Sequence, residues 1–293
     1  WTADYKHNYY GLRWKIYFSI HGDNQMSALY VVGTPIGNLK DITLRALEVL
    51  KFVDVIACED TRTSMKLLQH YKISKPLISY HKYNETERSE EIIDMIINGK
   101  NVAIISDAGM PGICDPGAVV IRKCRDKGIN VSIIPGVSAT TSAFSWLGSI
   151  YSGFTFLGFL PEKMSDRKNM ILNVQSLAHP FMLYVAPHDI KNTVSFLLSI
   201  LGNRECFVAR ELTKLHEELV QTSLANFNCT EKGEMVLVVL PASNSSEITD
   251  MSIKDALIFC ISKGMDKKDA IKFVAKEKNI TKNDVYTVAI TLD

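Results

Sequence analysis

The sequence predicts an α/β protein of two domains followed by a small helical tail. Short apolar strands alternate with amphipathic helices over residues 26–139, which predicts a parallel sheet covered by helices. Residues 140–242 carry further strand-like segments with helices between them, namely FTFLGF, FMLYVA, CFVAR and GEMVLVVL, which predicts a smaller mixed α/β domain. Beyond a linker at 241–250, residues 251–293 read as three short helices.

Four units of strand, loop and helix follow one another in the first domain. ALYVV leads into the loop GTPIGNLKD and the helix ITLRALEVLKF, for which Asp41 is the expected N-cap. VDVIA then leads into CEDTRTSMKLLQHY, VAII into SDAGMPGICDPG, and VSII into PGVSATTSAFSWLG. Ligands of a parallel sheet bind at the carboxyl ends of its strands, which is where all four loops are expected.

The composition indicates a globular protein and excludes several classes. The chain has 293 residues, of which 46% are hydrophobic and 22% charged, and its formal net charge is +1. A polyanionic partner would therefore have to bind a local basic surface, because the overall charge of the protein attracts it only weakly. The six cysteines form no CxxC pair and no histidines stand at zinc-ligand spacing, so we expect reduced thiols, a cytoplasmic protein and no bound metal.

The N-terminal residues do not predict a targeting signal. No apolar run approaches the roughly 18 residues of a membrane-spanning helix. Residues 1–25 are rich in aromatic and polar side chains without a clear period, and the first clean strand follows Met26. We expect a leader outside the fold and a natural start at Met26, with an extension that has a binding role as the alternative.

The loop SDAGMPGICDPG, residues 106–117, is the most unusual stretch of the chain. It holds three glycines and two prolines, and this mixture predicts one preset backbone shape that a ligand can approach closely. Neither a dinucleotide fingerprint nor a Walker A lysine is present among the loops. Bare backbone beside Asp107 and Asp115 suits a ligand that is partly cationic and partly apolar, as S-adenosylmethionine is. A tight connection without a ligand is the alternative.

Several motifs together resemble a known family. They are VGTPIGNLKDITLRAL, ACEDTRTSMKLLQHY, YHKYNE, SDAGMPGICDPG, IPGVSA, LGFLPEK, ARELTK and KGEMVLVV, and the match runs in order from about Ser27 to the C-terminus. The chain resembles the RsmI-type small-subunit ribosomal RNA methyltransferases of the tetrapyrrole methylase superfamily. The resemblance implies a two-domain tetrapyrrole-methylase-like fold, a homodimer, and methyl transfer from S-adenosylmethionine to the ribose 2'-hydroxyl of a cytidine in the decoding region of 16S rRNA.

The resemblance also implies which residues bind the cofactor. They lie in the first, third and fourth loops and in the ARELTK and GEMV segments of the second domain: Pro35, Gly37, Asp107, Ala108, Gly109, Pro111, Pro135, Gly136, Ala139, Ala209 and Glu211. One stretch departs from the family pattern, which has Tyr-Glu-x-Pro-His-Arg where this chain has Val185 and Asp189 in place of the acid and the base. If the family's arginine touches RNA, Asp189 repels phosphate here.

Methyl transfer to a hydroxyl gains from a base, and the candidates lie in EDTR and ARELTK. Glu59 and Asp60 are the first choices, with Glu211 and Lys214 as second choices; capping of the following helix is the alternative for Asp60. Arg62 and Arg210 either clamp a phosphate or pair with neighbouring acids.

RNA contacts are expected outside the cofactor loops. His81 and Tyr83 either stack on an extruded base or pack ordinarily. Lys163, Arg167 and Lys168 form a basic loop, and the tail carries further lysines, among them Lys267 and Lys268, that suit docking to structured RNA or simply form a solvated face.

Three functions remain open from the sequence. The first is the RNA 2'-O-methyltransferase. The second is a methyltransferase of the same superfamily acting on a small molecule such as a tetrapyrrole, against which the lysine-bearing tail, EDTR and ARELTK speak. The third is a non-enzymatic RNA-binding protein, which the changed Val185 and Asp189 motivate and the intact cofactor loops oppose.

Overall fold

The computed structural model describes residues 27–148, 151–242, 251–262 and 264–292. The predicted leader and most of the predicted linker lie outside the described residues. None of the helices in those ranges is long and apolar enough to cross a membrane.

The first domain alternates strands and helices in the predicted order. Its strands are β1 (Leu29–Val32), β2 (Val55–Cys58), β3 (Leu77–Ser79), β4 (Val102–Ile105) and β5 (Val131–Ile134). Its helices are α1 (Leu44–Phe52), α2 (Thr61–His70), α3 (Glu85–Ile97) and α4 (Ala118–Asp126), and α5 (Ala139–Leu147) leads toward the second domain. Two strands, VAII and VSII, have the predicted bounds, whereas β3 was not predicted.

All five strands form one parallel sheet in the order β3-β2-β4-β1-β5. Successive residues of a strand point to opposite faces, so Tyr30 packs with α1 on one face and Val31 packs with α3 and α4 on the other. Both faces are covered, which explains why the strands are continuous apolar runs. The carboxyl ends of the strands therefore share one edge, as predicted.

The cap of α1 corrects one prediction. Thr43 and not Asp41 is the N-cap, and its hydroxyl accepts a hydrogen bond from Ala46 N at 3.0 Å. Asp41 ends a 3-10 turn, Leu39–Asp41, so the chain needs two more residues before the helix can start. A threonine hydroxyl caps a helix by accepting a backbone hydrogen bond, as an aspartate carboxylate does.

The second domain is a five-stranded mixed sheet. Its strands are β6 (Thr155–Phe156), β7 (Phe181–Val185), β8 (Glu205–Arg210), β9 (Glu218–Ser223) and β10 (Met235–Val239), in the order β6-β7-β10-β8-β9. Only β6 and β7 are parallel. The helices α6 (Met164–Val174) and α7 (Ile190–Leu201) pack with the sheet. The edge strand β9 was not predicted, because ELVQTS is only half-buried and mixes polar with apolar side chains.

The tail forms the three predicted helices, α8 (Ile253–Ser262), α9 (Lys267–Glu277) and α10 (Lys282–Ala289). They share a small core to which Leu257, Val274 and Val285 each contribute a fully buried side chain. A capping box between Thr281 and Asp284 starts α10. The tail is therefore a packed unit with its own hydrophobic centre.

Candidate active site at the carboxyl edge of the first sheet

Three loops of the first domain are joined to one another by backbone contacts. Gly33 N donates to Ile134 O at 3.0 Å, and Thr34 and Gly109 exchange two backbone hydrogen bonds of 2.9 and 3.2 Å. A Cβ on Gly33 would lie 2.7 Å from Gly136 N and 2.6 Å from Met110 Sδ. Only glycine fits such an approach, so the loops after β1, β4 and β5 form one fixed surface.

The loop after β4 has the preset shape that its sequence predicts. Gly109, Gly112 and Gly117 have φ values of +76°, +79° and +144°. A Cβ on Gly117 would lie 2.9 Å from Gly112 N, so residues 112–117 close into a compact ring. The Gly117 N–H donates to Glu85 Oε1 at 2.9 Å, which anchors the ring to α3. This confirms the prediction that these glycines serve backbone conformation.

A cavity of about 390 Å³ lies between this surface and the second domain. The first domain contributes Ile36, residues 108–110, 113–115 and 138–140; the second contributes Phe156, Phe159, residues 184–187, Ala209, Leu212 and residues 234–236. Asp115 and Glu234 are its carboxylates, and no lysine, arginine or histidine of the described chain lines it. Its volume falls in the usual range for small-ligand sites. The cavity therefore suits an apolar ligand with positive charge.

The predicted cofactor residues divide into two groups. Ala108, Gly109, Ala139 and Ala209 line the cavity directly. The remaining seven do not line it: Pro35, Gly37, Asp107, Pro111, Pro135, Gly136 and Glu211. Gly37 faces the second domain, because a Cβ there would lie 2.7 Å from Leu212 O and 2.5 Å from Lys214 Cγ.

Several lining residues were not predicted from the sequence. Tyr184, Ala186 and Pro187 lie at the carboxyl end of β7, and Phe159 lies in the segment after β6. Because β6 and β7 are parallel, the residues that follow them lie at the same edge of the sheet. The sequence predicted the second sheet only as mixed and did not identify this parallel pair. The GEMV segment is predicted at the cofactor site, and its residues 234–236 do line the cavity.

Lys214 is a charged bridge and not a free amine. Its Nζ donates to Glu211 Oε1 at 2.8 Å and to Glu234 Oε2 at 2.9 Å. Burial lowers the pKa of Lys214, but the two carboxylates outweigh burial and the net pKa is raised. The hydrogen bond from Lys214 lowers the pKa of Glu211. Lys214 therefore stays protonated at neutral pH, which does not suit a general base.

The loop that carries Lys214 has an unusual backbone. Glu211 and Thr213 have φ values of +51° and +66°, although neither is glycine. The Glu211 side chain passes directly over Gly233, where a Cβ would collide with it. Surrounding contacts have to hold such a conformation in place. This loop, residues 211–217, thus meets Gly37 of the first domain in a preset shape.

The two acids of EDTR have different surroundings. Asp60 caps α2 through Arg62 N at 2.8 Å and pairs with the Arg62 side chain, also at 2.8 Å. The Arg62 hydrogen bonds lower the pKa of Asp60 to about 2. Burial, and after it the charges of Asp115 and Asp107, raises the pKa of Glu59. Glu59 therefore retains more proton affinity than Asp60, though neither lines the cavity.

Two arginines that were predicted to touch RNA form internal pairs. Arg210 Nε donates to Glu218 Oε2 at 2.7 Å, and Arg210 therefore pairs with β9 and not with Glu211. Arg167 Nε donates to Pro161 O, and Arg167 NH1 lies 3.8 Å from Asp189. Asp189 thus has a cationic partner, and Arg62, 88% exposed, is the more accessible arginine.

The pair Arg167 and Asp189 borders a second, smaller cavity of about 270 Å³. Tyr184, Val185 and Ala186 line both cavities, so the stretch that departs from the family pattern separates them. The Val185 side chain is 6% exposed and packs in the core of the second domain. Its replacement of a family glutamate therefore adds no unpaired charge there.

The remaining predicted RNA contacts lie at the surface. Tyr83 is 93% exposed, and its ring centroid lies 6.1 Å from that of His81. Lys163 precedes α6 and is exposed; Lys268 is exposed in the first turn of α9, and Lys267 is half-buried. These positions are accessible to a polyanion, and their role stays a prediction.

Comparison with known proteins agrees with this geometry. The family model described as Tetrapyrrole (Corrin/Porphyrin) Methylases matches residues 28–228. "Ribosomal RNA small subunit methyltransferase I" of Bacillus subtilis is 39% identical over 280 residues, which cover 92% of this chain and 96% of the relative. The protein of the same name from Mycoplasmopsis pulmonis is 46% identical, over 73% of this chain and 97% of its own length.

Solved structures share the fold at lower identity. Diphthine synthase matches with a TM-score of 0.58 at 18% identity, over 73% of this chain and 90% of that structure. Uroporphyrin-III-C-methyltransferase from Thermus thermophilus matches with a TM-score of 0.54 at 18% identity, over 73% and 94%. The chain therefore belongs to the tetrapyrrole methylase family and groups within it with the ribosomal RNA small subunit methyltransferase I proteins.

Proposed function

We propose that this chain is an S-adenosylmethionine-dependent methyltransferase that modifies the RNA of the small ribosomal subunit. The finer assignment is the ribose 2'-hydroxyl of a cytidine in the decoding region of 16S rRNA, modified by a cytoplasmic homodimer. The observation that carries the proposal is the cavity between the two domains, with its bare backbone, apolar walls and two carboxylates. The names of the two ribosomal RNA methyltransferase relatives, which are 39% and 46% identical to this chain, support the acceptor.

The lining residues fit the proposed donor. S-adenosylmethionine carries positive charge at its sulfonium and ammonium groups, and no cationic side chain of the described residues lines the cavity to repel it. Apolar side chains such as Ile113, Phe156 and Val236 suit the flat base. A polyphosphate would instead require basic side chains, and none of the described residues that line the cavity is basic. When bound, the donor supplies an electrophilic methyl group.

The contribution of the protein is largely positional. The loops joined at Gly33, Gly109 and Gly136 form a rigid floor, and the second domain forms the facing wall. Holding two reactants in line saves about 7 to 11 kcal/mol in well-oriented reactions.

Basic and aromatic surface residues suit the RNA. Arg62 and Tyr83 lie in the segments after β2 and β3, at the same sheet edge as the cavity. Tyr83 is exposed on a turn and suits stacking on an unpaired base. The lysines of the tail, including Lys267 and Lys268, suit phosphate contacts away from the cavity.

The experiment is a transfer assay with acceptors of both classes. Labelled S-adenosylmethionine is incubated with the protein and with small ribosomal subunits that lack the modification, and separately with a tetrapyrrole. Label in 16S rRNA that maps to a cytidine ribose supports the full proposal, whereas label on a base refutes the 2'-hydroxyl. Label on the tetrapyrrole alone refutes the RNA acceptor. Fully modified subunits serve as the control, since they offer no free position.

A further inference from the structure

The bases suggested by the sequence do not reach the cavity. Asp60 is held by Arg62, and Lys214 is held by two carboxylates, one of them Glu211. Neither Glu59 nor Glu211 is part of the lining. A general base has to stand within hydrogen-bond reach of the proton that it takes. The reaction therefore lacks an assigned proton acceptor inside the site.

Two carboxylates line the cavity, and they are not equivalent. Glu234 is paired with Lys214 at 2.9 Å, and its side chain is 70% exposed. Its charge is therefore already neutralised and hydrated. Asp115 is half-buried and forms no ion pair within the part of the chain that the structure describes. Of the two, Asp115 is therefore the carboxylate available to take a proton.

The backbone fixes the position of Asp115. It lies inside the ring formed by residues 112–117, with Gly112 and Gly117 in close contact and Pro116 directly after it. Glu85 anchors the end of this ring through the Gly117 N–H. The ring therefore holds the backbone of Asp115 in one place at the cavity wall, as a positioned base requires.

The surroundings of Asp115 favour proton uptake. Burial raises the pKa of Asp115, the nearby Ser106 hydroxyl partly offsets this, and the charges of Asp107 and Glu234 raise it further. The titratable groups that face it come from its own loop, from β2 and from the second domain, namely Asp107, Cys114, Glu59, Tyr184 and Glu234. All of them are neutral or acidic, so none stabilises the Asp115 carboxylate as a cation would.

We propose that Asp115 is the catalytic base that accepts the proton of the acceptor hydroxyl. This inference rests on the proposed function. In the step, the hydroxyl oxygen forms a bond to the methyl carbon and the carbon–sulfur bond breaks. The electron pair of that bond stays on the sulfur, which becomes an uncharged thioether. The hydroxyl proton passes to a carboxylate oxygen of Asp115, which returns it to solvent.

In this arrangement Glu59 and Asp107 are positioning residues. Both lie at the same strand edge as Asp115, and Asp107 Oδ1 accepts from Asp60 N at 3.3 Å. The charge of Asp107 raises the pKa of Asp115, and Asp115 in turn raises the pKa of Glu59, so the three carboxylates form one acidic group at this edge. Neither Glu59 nor Asp107 lines the cavity.

The test compares Asp115→Asn with a matched surface variant, Asp94→Asn on the exposed side of α3. Calorimetry measures the affinity for S-adenosylmethionine and for S-adenosylhomocysteine, the product that lacks the sulfonium charge, and transfer to small subunits measures kcat across pH 5 to 9. For D115N we expect a fall in kcat of about 100-fold or more, with both affinities within about twofold of the wild type. D94N behaves as the wild type. Asp115→Glu retains a carboxylate, though in a shifted position. This variant should therefore keep part of the activity and the acid limb, which is the fall of kcat at low pH.

Each other outcome overturns the inference in a recognisable way. If D115N loses affinity for the charged donor but not for the product, Asp115 holds the sulfonium charge and is not the base. If D115N keeps the wild-type kcat and its acid limb, another group takes the proton. A wild-type protein that labels no subunit refutes the proposed function itself, and with it the hydroxyl on which Asp115 would act. A thermal melt of each variant separates these results from misfolding.

Discussion

Gly33 and Gly136 lie in backbone contact, so that a Cβ on Gly33 would stand 2.7 Å from Gly136 N. This contact ties the loop after β1 to the loop after β5, and the hydrogen bonds between Thr34 and Gly109 add the loop after β4. The floor of the cavity is thus held by main-chain atoms. Substitutions at these positions therefore change the backbone geometry of the site and not only its side-chain contacts.

Gly33→Ala should destabilise the fold by about 1 to 3 kcal/mol, because the new methyl group has no room and the loops must separate. Urea unfolding measures the change. Gly153→Ala is the matched control, since nothing lies within 4 Å of a Cβ there, and it should be close to neutral. Equal stability of the two variants would contradict the close contact.

Gly109→Val should abolish donor binding in a folded protein. Gly109 has a φ of +76°, which a β-branched residue adopts only at a cost, yet the nearest atom to a Cβ is Ile36 Cγ2 at 3.6 Å. Gly128→Val is the control, because Gly128 has a φ of +70° and empty surroundings away from the cavity. Both variants should lose about 1 to 2 kcal/mol of stability. Calorimetry with S-adenosylmethionine should then show normal affinity for G128V alone, and normal affinity for folded G109V would refute the placement of the donor.

Asp60→Ala should destabilise α2 at neutral pH, since the helix loses its N-cap. The pKa of Asp60 in the folded protein, about 2, lies below the ordinary value of 3.8, so its contribution is present above pH 4 and is lost as the pH falls toward 2. The difference in melting temperature between wild type and D60A should therefore shrink over that interval. Asp60→Asn keeps a capping side chain and should be milder. A difference that stays constant down to pH 2 would contradict the pairing with Arg62.

Asp107→Asn should move the acid limb of the activity profile to lower pH. Its charge raises the pKa of Asp115, and removal of a like charge makes the remaining carboxylate easier to ionise. The profile of kcat against pH measures the shift. A limb that moves to higher pH, or stays in place, would show that Asp107 does not act on the titrating group.

Removal of residues 251–293 should weaken binding to RNA and spare the donor site. The three tail helices have their own core, and the Mycoplasmopsis pulmonis relative matches only 73% of this chain, so part of this chain has no counterpart there. The truncated protein should bind S-adenosylmethionine normally. Its affinity for small subunits should fall and depend less steeply on salt, in proportion to the number of phosphates that the tail neutralises. An unchanged salt slope would argue against docking by the tail.

Periodicity and loop chemistry predicted the first sheet well and the second less well. VAII and VSII have their predicted bounds because buried parallel strands are continuous apolar runs between strong turn signals. The edge strands β3 and β9 were missed, since Leu77–Ser79 is short and Glu218–Ser223 alternates weakly. Their pairing depends on neighbours that are distant in sequence.

The site was predicted in outline but not in its side-chain detail. The positive φ angles of the glycines in SDAGMPGICDPG could be predicted, because a positive φ depends on the residue type at that single position. The partners of Arg167, Arg210 and Lys214 could not be predicted, because ion pairs follow from the packing of separate segments. The sequence marks Asp115 as a charge near the ligand, but only the cavity between the domains distinguishes it from Glu59.

A crystal structure of the chain with S-adenosylhomocysteine bound tests the central claim most directly. The account predicts ligand density in the cavity between the domains, against the backbone of residues 108–110 and the end of β7, with Asp115 open to the sulfur side. Density at another surface, or a protein that takes up no ligand while these loops remain ordered, would contradict it.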